Sequence, residues 1–206
     1  MSHDVLPGAD AGRMMPGTII LLNGASSSGK TTLARALQQA LAEPYLDAGL
    51  DRFLWMLPGR YLKQPLWDDV LGRATEAGAT GHRLIPAMHR AIAALSRAGM
   101  GVVADHVLVV PAWVADCAAV LADLPAWLIG VRCPLPVLEE RERSRGDRTL
   151  GQSAAQHELV HAHGVYDFEV DTSLLGPAAC AEAIRDAIAG GLPTALKTLR
   201  GRRPAS

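Results

Sequence analysis

The chain has 206 residues, 49% hydrophobic and 20% charged, with Lys+Arg 20 against Asp+Glu 21 and a formal net charge of -1. This composition describes a folded single domain and excludes a disordered chain, a collagen-like rod and a coiled coil. The balanced charge offers no field for nucleic acid, Cys117, Cys133 and Cys180 include no CxxC pair, and no apolar run nears the ~20 residues of a membrane span, so a cytoplasmic protein is expected.

Residues 1–16 hold Pro7, Gly8, Gly12 and Pro16 without an apolar segment and read as a disordered leader. Residues 17–191 read as one domain, and 192–206 as a short helix fading into a basic tail with Lys197, Arg200, Arg202 and Arg203. Short apolar runs at 18–22, 45–50, 101–104, 127–131 and 168–170 predict five buried strands. Between them, helical stripes fall on Leu33, Leu37 and Leu41; on Leu84, Met88, Ile92 and Leu95; on Trp113, Cys117 and Val120; and on Cys180, Ile184 and Ile188. Strand alternating with helix predicts an α/β fold, a five-stranded parallel sheet with helices on both faces and ligands at the strands' carboxyl ends.

Directly after the first strand, Gly24, Ala25, Ser26, Ser27, Ser28, Gly29, Lys30 and Thr31 match G-x-x-x-x-G-K-[ST] and run through Thr32 into the first helix. That is a P-loop in the strand-then-helix setting its chemistry requires. Small residues let successive amides turn toward a phosphate, and the helix N-terminus adds partial positive charge. ATP is the expected ligand, with Lys30 on the β and γ phosphates and the Thr31 hydroxyl on Mg²⁺. A plain Gly/Ser turn is the competing reading.

The remaining strand ends must separate kinases from other P-loop proteins. Asp105, closing the third strand, stands where a Mg²⁺ shell is held; its neighbour His106 faces substrate or is a hydrogen-bonded spectator. Asp51, after the second strand, is the candidate base for an acceptor hydroxyl, ahead of Asp47. Residues 139–148 are rich in arginine and end in a Gly146 turn flanked by Arg145 and Arg148, a pattern suited to an arginine-rich lid closing over the transferring phosphoryl group. The alternative there is a solvated helix laced by Glu139/Arg143 and Glu142/Arg145 pairs. No N-K-x-D guanine signature is present.

A rival motif follows: His157-Glu158-Leu159-Val160-His161, extended by Gly164 and Asp167, has the spacing of a zinc protease helix. Metzincins add a methionine turn downstream, yet the last methionine is Met100. The three histidines, His163 included, therefore read mainly as helix-surface or packing residues.

Taken together, these residues resemble the chloramphenicol phosphotransferase family, P-loop enzymes related to small-metabolite kinases. The resemblance runs from 19–31 through Glu43-Pro44, Gly49-x-Asp51, Leu57-Pro58 and Arg97-Ala98-Gly99 to Asp105. It resumes at Gly130-Val131-Arg132-Cys133, Arg145-Gly146-Asp147-Arg148 and Val165-Tyr166-Asp167-x-Glu169-Val170-Asp171-Thr172. It implies a P-loop NTPase fold, ATP as phosphoryl donor, and Asp51 as the base that takes the proton of the antibiotic's primary hydroxyl. The chain departs from the family in carrying His106 where a second acid is usual, and across 59–79. The expected reaction is transfer of the γ-phosphate of ATP to a small hydroxylated molecule. Chloramphenicol or a similar aryl alcohol is favoured by Phe53, Leu54, Trp55, Met56 and Trp67 around Asp51. A kinase of another metabolite or nucleotide sugar, a nucleotide-binding switch and the zinc protease are the alternatives.

Overall fold

Ile19, Ile20, Leu21 and Leu22 are all fully buried, which a strand achieves only when both faces of its sheet are covered. The computed structural model describes residues 15–58, 78–145 and 150–202, and of 78–82 and 145 only the backbone. Along β1 (Ile19–Asn23), Ile19 and Leu21 enter one core with Met88, Ile92, Trp113 and Leu121. Ile20 and Leu22 enter a second core on the other face, with Leu33, Leu37, Cys180 and Ile184.

The chain continues through α1 (Lys30–Ala40), β2 (Tyr45–Asp47), α2 (Leu50–Leu54), α3 (Gly78–Arg97), β3 (Gly101–His106) and α4 (Pro111–Leu121). Then come β4 (Ala126–Arg132), α5 (Leu135–Arg145), α6 (Gln152–His157), a 3-10 turn at Leu159–His161, β5 (Phe168–Asp171), α7 (Pro177–Gly190) and α8 (Ala195–Gly201). The sheet has five strands in the order β2-β3-β1-β4-β5, every pair parallel. Helices α1 and α7 cover one face, and α3, α4 and α8 the other. The strand order reverses around β1, so the crevice where such sheets bind ligands opens at its carboxyl end. There Leu22 lies beside Asp105, and Asn23 beside both His106 and Gly130.

Several boundaries differ from the sequence reading, each for a visible reason. The second strand stops at Asp47, because its side chain takes the Gly49 N–H (3.1 Å) and turns the chain into α2. The third strand runs on to His106, paired with β1 from Val102 to that end. On α3 the buried face is rotated: Leu84 and Leu95 are half-buried, while Ile85, His89, Ala93 and Ser96 are buried beside Met88 and Ile92. Polar Ser96 belongs inside because its hydroxyl donates to Gly17 O (2.6 Å) and its carbonyl accepts the Gly17 N–H (2.8 Å).

The segment from 192, expected as a short helix fading into a basic tail, does form a short helix, α8, and packs it into the core through Ala195, Leu196 and Leu199. Asp167 anchors it: Oδ1 accepts the Thr194 and Ala195 amides (2.6 and 2.8 Å), and Oδ2 accepts that of Leu128 (2.8 Å). Arg200 pairs with Asp123 (2.6 Å) and Arg202 donates to His163 O (2.8 Å). The leader to residue 14 and the chain end from 203 lie outside the described residues. Among the described residues, no helix is long and apolar enough to cross a membrane.

Candidate functional site

The loop between β1 and α1 is shaped by close backbone approach. A Cβ on Gly24 would come within 2.6 Å of Val131 O, and Gly29 takes the left-handed conformation (φ 86) that turns the chain into α1. Ser27 is also left-handed (φ 61), the one such residue with a side chain among the described residues. Lys30 is buried at 8% exposure, its ammonium folded back to donate to Ala25 O (2.6 Å) and Ser28 Oγ (3.5 Å). Ser27 Oγ is buried and has no hydrogen-bond partner among the described residues. A curled loop with an inward ammonium and an orphaned hydroxyl fits the phosphates of a nucleotide.

At the first turn of α1, Thr31 Oγ1 donates to Asp105 Oδ2 (2.8 Å). The other oxygen, Asp105 Oδ1, accepts the Leu50 N–H at the start of α2 (3.1 Å). A Cβ on Gly49 would overlap this carboxylate, so glycine lets α2 come this near. One carboxylate therefore ties the P-loop helix to α2, whose first turn carries half-buried Asp51. Hydroxyl and carboxylate oxygens side by side are the donor set Mg²⁺ prefers when it shares its shell with phosphates. Asp47, the weaker candidate, is held by Gly49 and by Arg52 (2.7 and 2.9 Å).

On the opposite side of the loop, a cleft of about 580 Å³ is lined by Ser27, Gly29, Thr32, Arg141, Leu174 and Pro177, among others. Arg141 of α5 donates to Thr172 Oγ1 (3.1 Å) and Thr172 O (2.8 Å), and Thr172 Oγ1 donates to Ser28 O (2.8 Å). The turn after β5 is thereby fastened to the P-loop, and the cleft has the size and mixed lining of a small-molecule site.

Residues 17–189 match the chloramphenicol phosphotransferase-like protein family. The chain belongs to that family. A candidate O-phosphotransferase of Mycobacterium tuberculosis is 36% identical over 173 residues, covering 78% of this chain and 77% of its own. Among solved structures, the Mycobacterium tuberculosis APS kinase in complex with AMPPNP and APS aligns with TM-score 0.60 at 16% identity, covering 84% of this chain and 98% of that one. The Deinococcus radiodurans tunicamycin resistance protein gives 0.60 at 22% identity over 86% and 98%. Shikimate kinase from Acinetobacter baumannii gives 0.57 at 15% over 86% and 95%. These alignments show a shared P-loop kinase fold.

In this family member, Asp51, Lys30, Thr31 and Asp105 gather at the carboxyl ends of β1, β2 and β3, with Gly24 to Thr32 forming the loop between them. Of the expected lid arginines, the side chain of Arg145, the last residue of α5, lies outside the described residues, as does Arg148. The alternative of surface ion pairs along α5 is corrected in part. Arg143 pairs with Glu140 (2.7 Å) rather than Glu139. Glu142 is buried and accepts from the Gly151 and Ser153 amides (2.8 and 2.9 Å) and the Ser153 hydroxyl (3.1 Å).

His106 does not face a substrate. It is fully buried, its Nε2 2.9 Å from His89 Nε2, and His89 Nδ1 lies 2.7 Å from Asp116 Oδ2. The Val107 N–H can only donate, so His106 Nδ1 accepts it (2.8 Å) and the His106 proton sits on Nε2. His89 then accepts at Nε2 and donates from Nδ1 to Asp116. Burial holds both imidazoles below the ordinary 6.5, His106 well below, where His89 and Lys30 add repulsion.

The zinc alternative is overturned. His157 ends α6 while His161 lies in the separate 3-10 turn, so no single helix aligns them. Asp167 anchors α8, and His161 Nδ1 is 2.6 Å from Tyr166 Oη. Among the described residues, no three His, Cys, Asp or Glu side chains are placed to hold a metal.

Sequence reading missed Arg141, Gln156 and Asn23. Arg141 precedes Arg145 by four residues and so shares its helix face, a signal that was present. Gln156 Oε1 accepts the Ser26 N–H (2.8 Å) across 130 residues, and Asn23 Nδ2 donates to Val160 O and Tyr166 Oη (both 2.7 Å). Neither contact leaves a local pattern in the sequence.

Proposed function

We propose that the protein transfers the γ-phosphoryl group of ATP to a hydroxyl of a small molecule, with chloramphenicol or a similar aryl alcohol as acceptor. The observation that carries the reading is the Asp105 bridge, which joins the P-loop threonine to the helix bearing Asp51 and so sets donor loop and candidate base side by side. The acceptor oxygen attacks the γ phosphorus, the bond to the β–γ bridging oxygen breaks, ADP leaves with the electron pair, and Asp51 takes the hydroxyl proton. Thr31 and Asp105 would hold Mg²⁺, which would supply neutralisation of the phosphate charge. Lys30 contributes a second positive charge at the phosphates, and Arg145 and Arg148 are assigned to the transferring group. The cleft beside Arg141 and Leu174 is assigned to the nucleoside half of ATP.

The acceptor class follows from α2. Leu54 and, in part, Phe53 pack into the core, whereas Trp55 is 56% and Met56 70% exposed, leaving apolar surface a few residues from Asp51. Trp67 lies outside the described residues. Such a wall favours an aryl alcohol over a sugar or a nucleoside monophosphate. Incubation with ATP, Mg²⁺ and chloramphenicol, followed by mass analysis, should yield a phosphorylated drug with one ADP per product. No such product, with turnover of a sugar or nucleotide acceptor, would overturn the acceptor and favour the second reading, a kinase of another metabolite. ADP release without any phosphorylated acceptor would point to a nucleotide-binding switch.

A further inference from the structure

Gln156 is buried on α6, at 5% exposure, and the protein uses one end of its amide. The Ser26 N–H can only donate, so the atom 2.8 Å from it is Oε1 and the orientation of the amide is fixed. Nε2 then carries two hydrogens and donates to no group among the described residues. A buried amide that serves the fold alone is satisfied at both ends. Asn23 is such a case, donating to Val160 O and Tyr166 Oη (both 2.7 Å) and accepting the Leu108 N–H (2.8 Å).

Two fastenings hold α6 and so preset this amide. Glu142 takes the Gly151 and Ser153 amides at the start of the helix, and Asn23 holds Val160 in the turn beyond its end. Along the loop, Gln156 stands away from the nucleoside side. Ser27, Gly29 and Thr32 line the cleft assigned to the nucleoside, whereas Ser26 and Gln156 do not. Lys30 Nζ rests on the carbonyl of Ala25, the residue before Ser26, so the amide shares the end of the loop where the lysine meets the terminal phosphates. An unpaired donor preset there marks a group whose partner arrives with ATP.

We propose that Gln156 is a catalytic residue supplied from outside the loop: its Nε2 donates to an oxygen of the transferring γ-phosphoryl group while its Oε1 takes its bearing from the Ser26 amide. The inference rests on the phosphoryl transfer proposed above and adds to it a donor from the helix that follows the lid segment. A neutral amide suits the task, since it donates at any pH and does not compete with Asp51 for the acceptor's proton. Charge is spread over the oxygens of the group in flight, and a donor fixed in advance stabilises it without reorganisation. ADP lacks that group, so Gln156 separates ATP from ADP and acts on kcat.

The test is calorimetric titration of the full chain with Mg²⁺ and either ADP or AMPPNP, an ATP analogue that keeps the third phosphate, together with phosphorylation kinetics. Gln156→Glu keeps an oxygen for the Ser26 amide and removes the donor; Gln156→Leu removes the donor without adding charge. Gln156→Glu should bind ADP within about twofold of the parent chain and AMPPNP about tenfold more weakly, the size of one lost hydrogen bond to a charged oxygen. Its kcat should fall by about 10², as when a fixed donor to a reacting oxygen is removed. Gln156→Leu should show the same selective loss of AMPPNP. Parent-like AMPPNP affinity or kcat in Gln156→Glu overturns the proposal and leaves the residue only its hold on Ser26. Equal weakening of ADP and AMPPNP in both variants overturns it as well, because that marks a general disturbance of the loop. Failure of the parent chain to bind either nucleotide overturns this inference and the nucleotide reading together. Selective loss of AMPPNP without any phosphorylated acceptor upholds the Gln156 contact and counts against the proposed reaction alone.

Discussion

Asp105, Asp47 and Asp51 stand near the P-loop. Asp105 has one oxygen on Thr31 and the other on Leu50; Asp47 has one on Gly49 and the other on Arg52. Each of these two carboxylates orients the donors around it. Asp51, in the first turn of α2, is the proposed base. Asp51→Asn keeps the shape and removes the basic oxygen, so kcat should fall by roughly 10² or more while ATP affinity changes little. Single-turnover phosphorylation with a parallel ATP titration checks this. An unchanged kcat would move the base role elsewhere.

Among the elements, α5 and α6 behave as one unit because a buried carboxylate joins them. Glu142 sits on α5 and satisfies the Gly151 and Ser153 amides at the start of α6, where a helix has no internal partners for its donors. At the far side of α6, Gln156 holds Ser26 of the P-loop. Position 142 is therefore structural, although in sequence it sits in a run of charges. Glu142→Ala leaves three donors unmatched in a buried place, and stability should fall by about 2–4 kcal/mol, read from urea unfolding. A loss below ~0.5 kcal/mol would mean that water replaces the carboxylate there and that the two helices are not coupled through it.

Across the whole molecule, histidine burial sets the response to acid. His89 and His106 are held below 6.5 chiefly by burial; His161 is brought down to about 3 and His163 to about 4, again chiefly by burial, with Arg132 adding repulsion. The folded chain thus binds fewer protons than the unfolded chain once pH drops below 6.5. The stability these neutral imidazoles contribute is complete above that value and is lost as pH falls toward their folded values. Each one steepens the decline by at most about 1.4 kcal/mol per pH unit, less for the partly exposed pair. Denaturation midpoints should be flat from pH 8 to 7 and drop progressively from pH 6 to 4. Replacing His106 by Gln should flatten that drop, and an unaltered pH profile in the variant would show that the buried pair does not titrate with folding.

The local parts of this protein were determined by sequence alone. An apolar strand, a glycine-flanked loop and an amphipathic helix are each specified by neighbours a few residues apart, so the P-loop, the five strands and the α/β alternation were legible, and the strand ends pointed to Thr31 and Asp105, which the fold joins by a hydrogen bond. The family resemblance was carried by the same contiguous blocks. Other features were decided only when the chain closed on itself. His89 and Ser96 interrupt an apolar stripe, yet they are buried because His106 and Gly17 supply partners from other elements. The H-E-x-x-H spacing counts positions along a helix, and here the helix breaks between its two histidines. The stretch after residue 192 reads as a short helix fading into a basic tail, but its docking was not legible: Asp167 caps the helix, and Leu196 and Leu199 are buried. Hydrogen bonds that span 130 or more residues, such as Ser26 to Gln156, follow no period, and only the tertiary structure brings their partners together.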